Sequence, residues 1–134
     1  MTTERVSVDW VKDRLFLMND HNGFPLVMTQ PEGVNGADLL PLSLIGCSAW
    51  DLMDILQKQR QPVSELRVFA DSLREDRAPW RFKAIHVTYQ ISGRGLNAEK
   101  IRHAVELTET KYCSVFVTLS EAVTLSSDFK LIDK

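Results

Sequence analysis

The chain has 134 residues, of which 44% are hydrophobic and 25% are charged, and this composition predicts one globular domain over residues 1–134. Its net charge is −2 and its 16 lysines and arginines are scattered along the chain, which argues against nucleic acid as a partner. No apolar stretch reaches the roughly 18 residues of a membrane span and no secretory signal is visible, so we expect a cytoplasmic protein without a membrane partner.

Three short strands are predicted at the N-terminus. Residues 4–11 alternate valine and tryptophan with polar side chains, which is the period of a half-buried strand. Residues 14–20 and 24–30 have the composition of two more strands, and the turn-forming residues 21–23 lie between them.

A long helix is predicted next. Asn35 or Asp38 is its candidate N-cap, and it is expected to run to about Arg60, ahead of Pro62. Its apolar residues cover nearly every face, which is typical of a helix that is buried rather than laid on a surface. Because one chain of this length has little material to cover such a helix completely, the pattern hints at a second chain.

A long hairpin is predicted after this helix. Residues 63–76 and 81–92 alternate apolar and polar side chains and are interpreted as two antiparallel strands. Residues 122–132 form the last predicted strand.

Two helical segments are predicted between the hairpin and the last strand. Asn97 is expected to cap a helix over residues 98–110. Residues 111–123 carry mixed signals, and we favour a second short helix that starts near Cys113. If these two helical segments are counted as one, the order of the elements is β-β-β-α-β-β-α-β. This is the order of an α+β fold.

The two cysteines, Cys47 and Cys113, are the most suggestive residues, because in a reducing compartment such thiols are more often free or catalytic than bridged. Cys47 lies in the middle of the long helix, with Trp50 and Asp51 on the same face. A thiol there gains little from the helix dipole, and neither burial nor a carboxylate favours its thiolate. Cys47 is therefore either a packed core residue or an active thiol that needs a cation from elsewhere.

Cys113 has a different setting. If a helix begins at Tyr112 or Cys113, its free amide groups favour a thiolate there, and Lys111 supplies an adjacent positive charge. The alternative is a small buried residue beside Tyr112, and the spacing alone leaves both interpretations open.

No metal or other cofactor is predicted. None of the three histidines has a Cys, Asp or Glu at a metal-ligand spacing. The Gly-Arg-Gly sequence at 93–95 lacks the spacing of a phosphate-binding loop.

Two long stretches resemble the OsmC/Ohr family, the osmotically inducible and organic hydroperoxide resistance proteins. Residues 35–60, NGADLLPLSLIGCSAWDLMDILQKQR, are similar to the family's central cysteine helix. Residues 75–119 are similar to its hairpin and second cysteine helix, most closely in the KYCSV sequence around Cys113. The sequence around Cys47 resembles that of the YhfA-like branch of OsmC-like proteins more than that of the peroxidases.

The resemblance implies an OsmC-like fold in which a long buried central helix is wrapped by antiparallel sheets in an intertwined homodimer. It also implies a cysteine-based peroxidase of oxidative-stress defence, acting without a cofactor on an organic hydroperoxide. Cys47 is then the nucleophile that becomes a sulfenic acid, Cys113 forms a disulfide with it, and an external dithiol restores both thiols.

The family's charged residues correspond less directly. Its peroxidases carry a glutamate ten positions before the first cysteine, where this chain has Ala37, and Asp38 is the nearest acid. The family's thiolate-stabilising arginine corresponds best to Arg14, with Arg74 and Arg77 as alternatives on the hairpin.

The resemblance also implies an apolar substrate pocket, for which Leu44, Trp50 and Phe82 are the candidates. The absence of the family glutamate at Ala37 supports an alternative function. In that alternative the protein is non-catalytic and binds a small apolar ligand at the dimer interface.

Overall fold

The computed structural model describes Met1 to Lys134 and contains two compact units, Met1–Leu40 and Pro41–Lys134. That the whole chain is one domain stays a prediction. The first unit holds a three-stranded antiparallel sheet in the order β1-β2-β3. All three predicted strands are confirmed to within a few residues, as β1 (Ser7–Lys12), β2 (Leu15–Asn19) and β3 (Pro25–Met28).

The predicted long helix is α1 (Leu39–Lys58), and a single 3-10 turn, Gly36–Asp38, precedes it. Asn35 caps this turn, because its side-chain oxygen accepts the N–H of Ala37 at 2.8 Å. Of the two candidate caps, Asn35 has this role, and Asp38 is the exposed last residue of the turn.

Within one chain, α1 is buried along one stripe only. Four residues at four-residue intervals are completely buried, whereas Trp50 is 79% exposed. The complete burial predicted for this helix is therefore not met inside one chain, because the remaining elements cover only one face. The buried stripe consists of Leu44, Ser48, Leu52 and Leu56.

The segment Gly36–Lys58 is also long and apolar enough to cross a membrane, with a mean hydropathy of 1.5 over an 18-residue window. The prediction that no apolar stretch reaches this length is therefore wrong. Core helices of globular proteins meet the same criterion, and the buried stripe of α1 belongs to the hydrophobic core of the second unit.

The second unit contains a mixed sheet of β4 (Val63–Arg74), β5 (Phe82–Gly93) and β6 (Thr124–Ile132), in that order. The antiparallel pairing of β4 with β5 confirms the predicted hairpin. The expectation of antiparallel sheets fails for one pair, because β6 runs parallel to β5. Parallel neighbours need a long crossover, and residues 94–123 with their helices provide it.

Two helices make up that crossover. α2 (Ala98–Leu107) is capped by Asn97, whose side chain accepts the N–H of Lys100 at 3.1 Å. A π-helical turn, Thr108–Tyr112, leads into α3 (Ser114–Leu119), which confirms the predicted short helix near Cys113.

The core of the second unit is one hydrophobic cluster shared by α1, β5, α2 and α3. Alternate residues of β5 point into it, as the period of two requires for a strand with one buried face. Its completely buried members from β5 are Ile85, Val87, Tyr89 and Ile91.

Truncation of this core is expected to be costly. Leu52→Ala removes a completely buried side chain, so we expect the free energy of unfolding to fall by about 2–5 kcal/mol. Gln57→Ala on an exposed position of the same helix should change it by less than about 0.5 kcal/mol. Urea denaturation followed by circular dichroism measures both, and equal effects would show that α1 does not pack on this core.

Candidate functional site

The two cysteines meet although 65 residues separate them in the sequence. Cys47 lies on α1 and Cys113 directly precedes α3, and both are free thiols. Their sulfur atoms lie within 4.8 Å of each other. Since a disulfide has an S–S distance of about 2.05 Å, at most about 2.8 Å of movement would join them.

Cys47 is the more accessible of the two thiols. It is half-buried, and its Sγ lies 3.8 Å from Oδ2 of Asp51 one turn along α1. The Oγ of Ser114 lies 4.0 Å from the same sulfur. Neither sulfur has a guanidinium or ammonium group among its hydrogen-bonding partners.

Cys113 is completely buried and forms the N-cap of α3. Its Sγ accepts the backbone N–H of Phe116 at 3.3 Å and the hydroxyl of Ser48 at 3.3 Å. Both structural features considered for Cys113 are therefore present: it lies at the start of a helix, and it is completely buried. Lys111, the cation expected beside it, lies over the ring of Tyr112.

The surroundings of Cys113 act on its pKa in opposite directions. Burial raises this pKa, because a thiolate loses its hydration, and the neighbouring Cys47 acts in the same direction. The donors from Ser48 and Phe116 lower it, since they stabilise the negative sulfur. The net result is a raised pKa, so the thiol is the resting form.

A half-buried carboxylate is hydrogen-bonded to the buried Tyr89. Glu109, in the π-helical turn, accepts the phenol hydroxyl of Tyr89 at 3.0 Å and the hydroxyl of Ser127 at 2.9 Å. Burial raises the pKa of Glu109, although those two hydrogen bonds and the nearby His86 act against the shift. Burial also raises the pKa of Tyr89, so its phenol stays protonated and donates.

The other predicted site residues lie in different environments. Arg14 and Asp38 belong to the first unit and are exposed. Of the predicted pocket residues, Leu44 is completely buried in the core and Trp50 is exposed. Phe82 is half-buried under the guanidinium of Arg74, 4.4 Å from the ring centre. The roles predicted for these residues stay predictions.

A cleft of about 350 Å³ begins at Asp51, the residue that touches Cys47. Its wall is part apolar and part charged, and its other members come from α1, the end of α2 and the π-helical turn. They are Asp54, Ile55, Lys58, Gln59, Leu107 and Tyr112.

Two thiols and a carboxylate are also ligand types that zinc accepts. Cys47, Asp51 and Cys113 bring their ligand atoms within 4.8 Å of one another. Two sulfurs on one zinc ion would lie roughly 3.8 Å apart, given tetrahedral geometry and Zn–S distances of about 2.3 Å. The set supplies three ligands, one fewer than a closed structural site needs.

Sequence reasoning missed four polar residues around the thiols. Ser48 had a detectable signal, because it is a polar residue on the buried stripe of a helix that is otherwise apolar. Ser114, Tyr89 and Glu109 had none, since their positions depend on contacts between separate elements.

The negative charge of Asp51 is expected to slow the alkylation of Cys47. We expect Asp51→Asn to speed alkylation of Cys47 by iodoacetamide at neutral pH by up to about tenfold, because the substitution removes a negative charge 3.8 Å from the attacking sulfur. Asp54→Asn is the matched control, as Asp54 is paired with Lys58 at 2.9 Å one turn further on. Mass spectrometry gives the rates, and equal rates for both variants would contradict this role.

The chain is similar to known proteins over almost its full length. The family model described as OsmC-like protein matches residues 29–128. Protein YhfA of Escherichia coli K12 is 33% identical over 128 residues, which cover 93% of this chain and 96% of YhfA.

Two crystal structures share the fold. A hypothetical protein from Aquifex aeolicus VF5 has a TM-score of 0.82 and 26% identity, with 98% of each chain covered. The organic hydroperoxide resistance protein OhrB of Bacillus subtilis has a TM-score of 0.62 and 17% identity, covering 96% of this chain and 98% of OhrB. At that identity the likeness to OhrB concerns the fold alone.

Proposed function

Because the chain belongs to the OsmC-like protein family, we propose that it is a thiol peroxidase that reduces organic hydroperoxides in oxidative-stress defence. The observation that carries the proposal is the approach of two free sulfurs to within 4.8 Å, one half-exposed and one buried. A nucleophile must meet its substrate and a resolving thiol must be shielded from it, and these two exposures suit those roles. The fold neighbour OhrB is itself an organic hydroperoxide resistance protein.

The reaction uses two thiols in turn. The Cys47 thiolate attacks one oxygen of the hydroperoxide, the O–O bond breaks, an alcohol leaves and Cys47 becomes a sulfenic acid. Cys113 then attacks the sulfur of that sulfenic acid, which releases water and leaves a Cys47–Cys113 disulfide. An external dithiol supplies two electrons and two protons and returns both cysteines to thiols.

The thiolate at Cys47 needs a positive partner. We assign this role to Arg14, with Asp38 as the acid that holds the guanidinium, as the family resemblance implies. Arg74 is less suitable, because its guanidinium already donates to the carbonyl of Trp80 at 2.8 Å and covers Phe82.

The functional unit is a cytoplasmic homodimer. The exposed face of α1, which includes Trp50, is the surface that a second copy would cover. In this assembly Trp50 and the half-buried Phe82 are the candidates for the apolar wall against which an organic hydroperoxide rests, whereas the completely buried Leu44 packs in the core behind them.

A second candidate function is non-catalytic binding of a small apolar ligand at the dimer interface. It is favoured by Ala37 in place of the family glutamate and by the lack of a cation among the partners of Cys47. One experiment separates the two functions. Cumene hydroperoxide should convert the reduced protein to the intramolecular disulfide, as measured by intact mass without reductant, whereas a pure binding protein keeps both thiols.

A further inference from the structure

The two thiols and Asp51 form a compact set of metal ligands. The sulfurs of Cys47 and Cys113 and one carboxylate oxygen of Asp51 all lie within 4.8 Å of one another. Cys47 and Asp51 are four residues apart on α1, so they lie on the same face of the helix, one turn apart. Cys113 approaches them from the start of α3. The packing of two separate helices therefore brings three ligand atoms within reach of a single ion.

The distances in this set are close to those that a zinc ion imposes. With Zn–S distances of about 2.3 Å, a Zn–O distance of about 2.0 Å and tetrahedral angles, two sulfurs lie roughly 3.8 Å apart and a sulfur and an oxygen roughly 3.5 Å apart. The Sγ of Cys47 is 3.8 Å from Oδ2 of Asp51. The two sulfurs need to approach each other by at most about 1 Å. Small rotations of the half-buried side chains of Cys47 and Asp51 would cover this difference.

The set contains three groups that can carry a negative charge, and no positive group is paired with them. Neither sulfur has a guanidinium or ammonium group among its hydrogen-bonding partners. Asp51 belongs to none of the ion pairs of the chain, whereas Asp54 is paired with Lys58 at 2.9 Å. A divalent cation would supply the missing positive charge, and its binding favours the thiolate over the thiol.

The surroundings of the set also suit a bound ion. The Sγ of Cys113 accepts the hydroxyl of Ser48 and the backbone N–H of Phe116, each at 3.3 Å. Hydrogen bonds of this kind orient the ligands of a metal ion and adjust its affinity. Asp51 is half-buried and lines the cleft of about 350 Å³, so an ion has a path to the set. Water from the same cleft can take the fourth position that the three ligands leave open.

We propose that the reduced protein binds one Zn²⁺ ion through the sulfurs of Cys47 and Cys113 and the carboxylate of Asp51. Thiolate ligands select zinc over magnesium and calcium, which prefer oxygen. On binding, two S–H bonds break, two S–Zn bonds form and two protons are released, with no change of oxidation state. The ion inhibits the thiols, because a sulfur bonded to zinc is a weaker nucleophile than a free thiolate. This inference goes beyond the proposed peroxidase function and does not depend on it.

The oxidation state of the two thiols decides whether the ion binds. Zinc binds thiolates, and in a Cys47–Cys113 disulfide the sulfurs are bonded to each other and carry no negative charge. The oxidised protein keeps only Asp51 of the three ligands. We therefore expect zinc to bind the reduced protein and to leave when the thiols are oxidised.

Equilibrium dialysis against Zn²⁺, followed by elemental analysis, measures the stoichiometry. We expect one bound ion per chain in the reduced wild type and none after dithiodipyridine has oxidised both thiols. Reduction with a phosphine, which is not a thiol and does not compete for zinc as dithiothreitol does, should restore the bound ion. Saturating Zn²⁺ should also slow alkylation of Cys47 by iodoacetamide by at least about tenfold, and EDTA should reverse this protection.

Three variants test the ligands. Asp51→Asn should weaken zinc binding by at least about tenfold, because loss of a partner behind a ligand already costs about 10–100-fold and Asp51 is itself a ligand. Asp54→Asn is the matched control, since it makes the same change on the same helix at a carboxylate paired with Lys58, and its affinity should stay that of the wild type. With Co²⁺ as a spectroscopic probe, the thiolate-to-metal absorption of the wild type should weaken in Cys47→Ser and in Cys113→Ser.

Zinc that binds as tightly in Asp51→Asn and in both serine variants as in the wild type would overturn the site. Such binding would come from exposed side chains such as His86, whose ring lies 3.1 Å from Asp128, and His86→Ala would then remove it. Should a variant not fold, the wild type decides, because zinc retained after oxidation contradicts binding through thiolates. Failure of the peroxidase proposal looks different, since cumene hydroperoxide would then leave both thiols intact while the reduced protein still binds zinc.

Discussion

Cys47→Ser is expected to slow the reduction of cumene hydroperoxide by at least about a thousandfold, because it removes the nucleophile that attacks the hydroperoxide in the proposed reaction. The Cys47 sulfur is half-buried and therefore open to the substrate, whereas Cys113 is completely buried. Peroxide consumption with dithiothreitol as the reductant measures this loss.

Cys113→Ser separates the two chemical steps. This variant should still reduce one equivalent of hydroperoxide and then accumulate the Cys47 sulfenic acid, which dimedone traps as an adduct visible by mass. In the wild type the sulfur of Cys113, within 4.8 Å, should intercept the sulfenic acid before dimedone does. If Cys113→Ser forms no adduct, or if Cys47→Ser keeps its rate, Cys47 is not the nucleophile.

Trp50→Glu is expected to convert a dimer of twice the chain mass into a monomer. Trp50 is 79% exposed in one chain although it lies on a helix whose composition is that of a core element. An uncovered apolar face of this kind on a small domain marks an interaction surface, and a buried carboxylate there would have no partner. Sedimentation velocity measures the mass, and circular dichroism checks that the monomer is folded.

Gln57→Glu is the matched control for this change. It adds the same charge to an exposed polar position near the end of α1, so the variant should sediment like the wild type. A wild type that sediments as a stable monomer would contradict the dimer, and the apolar face of α1 would then need another cover.

Much of this fold could be predicted from the sequence because its signals are local. Asn97 caps α2 through a hydrogen bond to the N–H of Lys100, a distance that sequence spacing fixes. The alternation in the strands gave β4 and β5 to within two residues, since side chains on a strand alternate between two faces. The start of α3 beside Cys113 followed from the same kind of spacing.

The candidate site could be predicted from the residues alone less fully than the fold. The residues alone left both cysteines open between packing and chemistry, and the resemblance to OsmC/Ohr proteins paired them. The parallel direction of β6 could not be predicted, because the strand's own pattern is the same for either direction.

By itself the sequence determined the helices, the hairpin and the two residues that carry the sulfurs, because caps, turns and hydrophobic periods act within a few residues of one another. Only the tertiary structure decided that Ser48 faces Cys113 and that Tyr89 faces Glu109. These contacts join side chains from α1, β5 and the segment between α2 and α3, so they form only when the packed core sets the distances between those elements.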